Sequence, residues 1–253
     1  MKKIAICLGV LFWTLVSFTA GLEYPRGDVN YDNQVDIDDV TCLINYVLNG
    51  TWPEEPVTPP DTHEWVDLGL PSGTLWATCN VGANSPEEKG DYFAWGETAP
   101  KDYYDWSTYK WCNISDTTLT KYCNSDCGYN GFVDNKMELD PEDDAAYVNW
   151  GPSWRTPTKE QLDELRENCT IELTNKGYRV TGPNGNTIFL PCSGYRYQDE
   201  RYIINSEGVY LSRTLDSSNP YNFYALDLIQ SYFSSSAPGR YHGVPVRPVR
   251  VTE

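Results

Sequence analysis

A run of prolines before residue 61 constrains the fold of this chain more than any other feature. The segment Pro53-Glu-Glu-Pro-Val-Thr-Pro-Pro-Asp61 has four prolines in nine residues. Proline lacks a backbone N–H and fixes φ, so such a run resists helix formation and favours an extended, semi-rigid spacer. We therefore predict a linker over residues 53–62 that separates a small module, residues 24–52, from a large domain, residues 63–253.

The first residues have the three regions of an export signal. Lys2 and Lys3 precede an apolar run over residues 4–18, and small residues follow at 19–21. The run is shorter than the roughly 20 apolar residues that span a bilayer. A cleaved signal peptide over residues 1–21 is therefore expected, with a secreted or surface-displayed mature protein and no membrane span.

The net charge of the chain argues against anionic partners. With 19 basic and 36 acidic residues, the formal charge is −17. A field of that sign repels phosphate backbones and anionic membranes and attracts cations. Nucleic acid is therefore not expected as a partner.

Evenly spaced oxygen side chains over residues 28–39 match a calcium loop. When Asp28 is taken as position 1, oxygen side chains fall at positions 1, 3, 5, 9 and 12, and position 7 offers a backbone carbonyl. Calcium takes six to eight oxygen ligands, and this spacing wraps them around one point. The expected ligands are Asp28, Asn30, Asp32, Gln34, Asp36 and Asp39.

A helix is predicted directly after this loop. Apolar residues recur at helical spacing and form one stripe, and Asn49-Gly50 supplies a stop signal. Val35, inside the loop, is expected to point into the core of the module. The loop and helix together would form half of an EF-hand-like unit. The stripe consists of Val40, Leu43, Ile44, Val47 and Leu48.

These residues resemble the type I dockerin repeat, which implies the same calcium ligands and a cohesin-like partner. The resemblance rests on Gly27-Asp-Val-Asn, the Asp-Asp-Val at 38–40 and the Leu-rich helix. Dockerins carry two such repeats, whereas this chain has one. That difference bears on cohesin binding more than on calcium binding.

The large domain is predicted to contain many short strands and little helix. Residues 66–70 and 74–79 are expected to form strands that meet at a Pro71-Ser-Gly73 turn. The best helix signal is the capping box at Thr158 and Gln161. No strand–helix alternation occurs, so we predict an α+β fold rather than a parallel sheet.

Two further sites have the pattern of helix starts, namely Ser85-Pro-Glu-Glu88 and Asp140-Pro-Glu-Asp143. Each has a capping residue, a proline and acids beside the positive end of the helix dipole. The acidic run at 140–144 could instead hold a second calcium ion. The cap is the more economical interpretation of these acids.

Several phrases of the large domain resemble the Fibrobacter succinogenes major paralogous domain, found in exported proteins of gut Bacteroidetes. They include residues 66–83 and 90–98, Trp-Arg-Thr-Pro-Thr at 154–158, residues 189–196 and Val-Arg-Pro-Val-Arg at 246–250. The resemblance covers nearly all of the domain. It implies a C-type lectin-like fold whose C-terminal part carries the ligand surface.

The composition of residues 215–242 is typical of a contact surface. Tyrosine supplies rigid contact area, and serine and asparagine supply hydrogen bonds. The alternative is ordinary polar strands and turns at a domain edge. The candidate ligand-binding residues are Asn219, Tyr221, Asn222, Tyr224, Tyr232, Ser234, Arg240, Tyr241 and His242.

No catalytic constellation is recognisable in the sequence. The motifs of serine hydrolases, zinc proteases and P-loop enzymes are absent, and His63 and His242 are the only histidines. We therefore expect an exported, non-catalytic adhesion protein that recognises a glycan or a protein. The alternatives are a dockerin-bearing component of a polysaccharide-degrading enzyme system and a purely structural scaffold.

Overall fold

The computed structural model describes two compact units, with the boundary between Pro60 and Asp61. In the described residues, strands pair antiparallel and three α-helices occur, which confirms a sheet-rich chain with little helix. None of the described helices has the length and hydropathy needed to cross a bilayer. The described residues are 29, 35, 37–50, 61–113, 115, 118–124, 127–202, 207–229 and 232–250.

The described part of the first unit is mainly the helix α1, Ile37–Asn49. Its first turn contains Asp38 and Asp39, whose charges favour the positive end of the helix dipole. Gly50, with φ +70°, donates its N–H to Tyr46 and ends the helix as predicted. Val35 is 57% exposed among the described residues, so the expectation that it points into the core is wrong for this structure.

The described part of the second unit contains twelve short strands and two further helices, α2 (Ala145–Trp150) and α3 (Lys159–Asn168). The strands are β1 (Trp65–Asp67), β2 (Leu75–Ala77), β3 (Trp154–Arg155), β4 (Thr170–Leu173), β5 (Gly177–Thr181), β6 (Thr187–Pro191), β7 (Tyr195–Tyr197), β8 (Glu200–Tyr202), β9 (Glu207–Leu215), β10 (Phe223–Ile229), β11 (Tyr232–Ser236) and β12 (Val249–Arg250).

Four antiparallel sheets organise these strands, in the orders β1-β2-β12-β3, β11-β10-β9, β4-β5-β6 and β7-β8. The predicted hairpin at the start of the domain is confirmed, with Val66 opposite Trp76, although both strands are shorter than predicted. Its turn is closed by the N–H of Gly73, which has φ +72° and donates to Leu70. Strand β12 pairs with both β2 and β3, so the end of the domain is hydrogen-bonded to its beginning.

The helix signals have mixed outcomes. Thr158 and Gln161 form the predicted capping box at the start of α3. Asp140 instead precedes a 3₁₀ turn, Pro141–Asp143, and Asp144 caps α2 through the N–H groups of its first turn. The predicted helix at 85–88 is wrong, because this segment makes a single turn.

Two hydrophobic clusters lie on the two faces of the β9–β10 pair. Val209 and Ala225 belong to the first cluster, whereas Tyr210 and Leu226 belong to the second. Because side chains alternate along a strand, consecutive residues enter different clusters. The large buried side chains of these clusters include Phe93, Trp95, Trp154 and Phe223 in the first, and Trp76 and Tyr178 in the second.

Residues of the sequence motifs on which the family resemblance rests hold several segments of the second unit together. Arg247 is buried and donates to the side-chain oxygen of Asn80 and to the carbonyls of Ala77, Thr78 and Phe189. Each of these segments would otherwise bury a carbonyl without a donor. The arginine therefore joins the C-terminal segment to β2 and β6.

Candidate functional site

The predicted calcium loop lies almost entirely outside the described residues. Of its six expected ligands only Asp39 is described, in the first turn of α1. Its side chain is buried, and Oδ1 accepts the backbone N–H of Val29 at 2.5 Å. This bond places the beginning of the loop beside its last ligand position. The ligands outside the described residues are Asp28, Asn30, Asp32, Gln34 and Asp36.

One acidic cluster in the described chain, at residues 140–143, could hold a metal ion. One oxygen each from Asp140, Glu142 and Asp143 lie within 4.8 Å of one another. Lysines already balance this charge, because Lys121 Nζ lies 2.7 Å from Asp140 and 2.6 Å from Asp143. Burial opposes ionisation of Asp140, but bonds from Lys121 and Lys136 hold its pKa below the usual value. The cluster is an ion-pair network, and nothing identifies calcium as its ion.

Six of the nine predicted contact residues of the C-terminal part separate into three groups. Tyr221, Tyr241 and His242 come together in one array of rings, described below. Tyr224 lies elsewhere, under the ammonium of Lys159 and beside Ser217. Tyr232 and Ser234 lie on β11, and their side chains are outside the described part of the structure.

The two asparagines shape a turn. The side-chain oxygen of Asn219 accepts the N–H of Tyr221, and Asn222 pairs with Gly239 across an isolated bridge. The bridge holds the turn at residues 219–222 beside Gly239. Both residues therefore position the rings in this structure.

Arg240 corrects one expectation, because it is fully buried and cannot touch a ligand in this structure. Its guanidinium donates to the carbonyl of Tyr122 at 2.6 Å and lies 5.2 Å from the ring of Trp95. Arginine is favoured at such sites because its planar group both stacks and donates several hydrogen bonds. Arg240 thus links the C-terminal segment to Tyr122 and Trp95.

Half-buried rings form a continuous array that we call the aromatic surface. From one end to the other, neighbouring ring centroids lie between 4.3 and 6.5 Å apart. At these distances rings attract one another in tilted, stacked or edge-to-face pairs, so each ring is held by its neighbours. The members are Trp106, Tyr195, Tyr197, Tyr202, Tyr221, Tyr241 and His242.

Backbone pairing brings these distant segments together. Tyr104 exchanges two hydrogen bonds with Gln198, which places the loop of Trp106 beside the β7–β8 hairpin. Arg196 exchanges two with Gly243, which places β7 beside the C-terminal segment. The N–H of Arg240 donates to the carbonyl of Tyr221. Three separate stretches of sequence therefore contribute to one surface.

A groove of about 340 Å³ adjoins the aromatic surface and shares two of its rings. We call it the acidic groove, because two carboxylates line it and none of its described lining residues is lysine or arginine. Asp227 and Glu207 lie on the same face of the sheet, since Asp227 is opposite Val209 and Ile229 is opposite Glu207. The lining residues are Tyr195, Glu207, Val209, Asp227, Ser236, Ala237, Pro238 and His242.

The electrostatics of the groove are unusual at Asp227. Burial, together with the charge of Glu207, raises the pKa of Asp227 to about 6, although a hydrogen bond from Ser236 acts in the opposite direction. Oδ1 of Asp227 is buried and has no hydrogen-bond partner among the described residues. A perturbed carboxyl in a groove is the type of group that functional sites contain.

His242 forms the boundary between groove and rings. Burial lowers its pKa, which keeps the imidazole neutral near pH 7. Nδ1 lies 3.1 Å from the carbonyl oxygen of Gly239. Since a carbonyl only accepts, Nδ1 carries the proton and Nε2 is left as an acceptor.

Sequence reasoning missed the residues that complete the site. Asp227 had a detectable signal, because it is the single charged residue of the apolar strand Phe223–Ile229. The other missed residues lie outside the Tyr-rich segment 215–242, and no local pattern connects them with it. They are Trp106, Tyr195, Tyr197, Tyr202 and Glu207.

Comparisons with protein-family models, with curated proteins and with solved structures found no match.

Proposed function

We propose that this chain is an exported, non-catalytic binding protein that recognises a glycan or a protein ligand through the aromatic surface. We further propose that its second unit is a C-type lectin-like domain of the Fibrobacter succinogenes major paralogous type. Its first unit would bind calcium as a dockerin-like module. The observation that carries the binding function is the aromatic surface, an array of half-buried rings from three parts of the chain.

The packing of the rings supports binding. Each ring touches its neighbours and keeps part of its surface open, so little side-chain freedom remains to be lost when a ligand docks. Aromatic rings offer flat apolar faces, while tyrosine hydroxyls and imidazole nitrogens offer hydrogen bonds at their edges. A saccharide, with apolar C–H faces and polar hydroxyl groups, complements this combination.

Charge limits the ligand further. The formal charge of −17 disfavours anionic ligands, which would include phosphorylated polymers. Neutral or cationic ligands are therefore favoured. For the first unit, the dockerin-like resemblance supports a cohesin-like partner, whereas the presence of one repeat instead of two opposes it.

Alanine variants on a glycan and host-protein array test this proposal. We expect Trp106→Ala and Tyr241→Ala each to weaken retention at least about tenfold, because buried aromatic contacts dominate most interfaces. Tyr224→Ala is the matched control and should retain binding, because in the described residues no ring contact joins Tyr224 to the aromatic surface. Equal retention by all three variants would contradict the proposal.

A second candidate function, glycoside hydrolysis, is favoured by one observation. Asp227, with its raised pKa, shares the groove with the carboxylate of Glu207. Glycosidases use two carboxyl groups, one of them kept protonated near neutral pH. Sustained release of reducing ends from polysaccharides, abolished in Asp227→Asn, would favour this candidate over simple binding.

A further inference from the structure

The acidic groove contains an unusual excess of hydrogen-bond acceptors. Oδ1 of Asp227 is buried without a donor, and the carboxylate of Glu207 lies on the same face of the sheet. Neutral His242 adds the acceptor Nε2, because its Nδ1–H points to the carbonyl of Gly239. Of the described lining side chains, Ser236 already bonds Asp227 and the hydroxyl of Tyr195 can donate as well, so acceptors still outnumber donors.

A buried acceptor without a donor lowers the stability of the fold and calls for an explanation. A ligand that enters this groove removes the cost if it brings donors, and it gains most if it also carries positive charge. An ammonium group has three donors and a full charge. Tyr195 also lines the groove, and aromatic rings attract cations.

We propose that the acidic groove binds the primary ammonium group of an amino sugar, in a glycan that lies on the adjoining aromatic surface. This inference rests on the proposed function. Tyr195 and His242 belong to both the groove and the aromatic surface, so a ligand in the groove continues directly onto the rings. A volume of about 340 Å³ is at the lower end for ligand pockets and suits a single sugar residue.

The proposal has a definite pH dependence. Asp227 must lose its proton to pair with the ammonium, so binding weakens as pH falls below about 6. The other titratable groups that face Asp227 are Glu207 on β9, His242 in the C-terminal segment and Tyr195 on β7. Among these, burial lowers the pKa of His242.

Calorimetry with two matched oligosaccharides tests the proposal. One is a fully deacetylated glucosamine tetramer, and the other is its fully N-acetylated form, which has no ammonium group. At pH 6.5 the whole protein should bind the deacetylated tetramer at least about tenfold more tightly. In Asp227→Asn this preference should fall to less than about twofold.

A matched control separates charge at the site from charge elsewhere. Glu160→Gln removes an exposed carboxylate from α3, whose buried Leu162 and Leu165 pack in the second cluster, on the other face of the sheet from Asp227. It should keep the full preference for the deacetylated tetramer. The thermal unfolding of Asp227→Asn shows whether the variant is folded.

The outcomes distinguish this inference from the proposed function. Equal affinity for the two tetramers would overturn the ammonium site and leave the binding function in place. A preference that persists in Asp227→Asn would also overturn it. Tighter binding of a lysine peptide than of either tetramer would assign the groove to a protein ligand instead. Loss of all binding in Trp106→Ala, with the preference intact in wild type, supports both.

Discussion

At the scale of single residues, Asp227 combines a stability cost with a position in a groove. It is the single charged residue of β10, and its neighbours Leu226 and Leu228 enter the second hydrophobic cluster. Burial and the charge of Glu207 disfavour its ionised form. Residues of this type often remain in proteins because function requires them.

The Asp227→Asn variant should therefore be more stable than the wild type at pH 7. The pKa of Asp227 is raised from an ordinary value near 3.9 to about 6, so the folded state holds its proton more tightly than the unfolded state does. The contribution of protonated Asp227 to the free energy of unfolding is fully present below about pH 4 and is lost as pH rises through about 6. The gain in the variant at pH 7 is about 1–3 kcal/mol.

Urea unfolding of both proteins between pH 4 and pH 7.5 measures this difference. The wild type should lose stability across that interval relative to the variant, and the two curves should meet at the acidic end. A variant that is less stable than the wild type at pH 7 would show that Asp227 ionises without cost.

At the scale of elements, the helix α1 shows which properties of a helix follow from its local sequence and which do not. Its end agrees with the stop signal at Asn49-Gly50, whereas its first residue, Ile37, lies inside the predicted calcium loop rather than after it. Its apolar stripe, however, is largely exposed in the described structure, with Val47 62% and Leu48 74% exposed. Periodicity fixes which residues share a face, whereas a tertiary partner decides whether that face is buried.

Calcium binding by the loop before α1 is the prediction that belongs to this element. Titration calorimetry of the purified protein should show one calcium ion per chain at the loop, lost on chelation. Asp39→Asn should weaken binding at least about tenfold, because the carboxylate at position 12 normally gives two oxygens to the ion. Asp38→Asn, its neighbour outside the ligand set, is the matched control. Identical affinities for the two variants would exclude the proposed ligand set.

At the scale of the whole molecule, the chain divides between Pro60 and Asp61, and the contacts of Asp61 show where the second unit starts. Asp61 lies in the predicted linker, yet its carboxylate accepts the indole N–H of buried Trp154 at 2.9 Å. Arg250, in β12, lies 3.5 Å from the same carboxylate. The second unit therefore includes Asp61, two residues before the predicted domain start.

A fragment of residues 61–253 should fold by itself, because the buried residues of both main clusters come from this unit. A fragment of residues 63–253 should be less stable by about 1–2 kcal/mol, because the indole N–H of Trp154 loses its acceptor. Urea unfolding compares the two. In the longer fragment, Asp61→Ala should reproduce the loss and Thr62→Ala should not. Equal stability of the two fragments would show that the Asp61 contact does not stabilise the second unit.

The sequence by itself determined the features that depend on neighbours along the chain. The capping box at Thr158, the turn at Gly73 and the end of α1 are decided within a few residues, so their signals are readable directly. The sheet-rich class with little helix follows from the same local patterns. The Tyr-rich segment also indicated part of the candidate site, namely Tyr221, Tyr241 and His242.

Only the tertiary structure decided which side chains meet. Arg240 resembles a contact residue in sequence, but its position under the segment buries it completely. Trp106 and Tyr197 joined the site because backbone pairing brings residues 104 and 198 together across a long stretch of chain. Glu207 and Asp227 share a groove because of strand register. Register and long-range pairing depend on the packing of the whole core, which no local pattern contains.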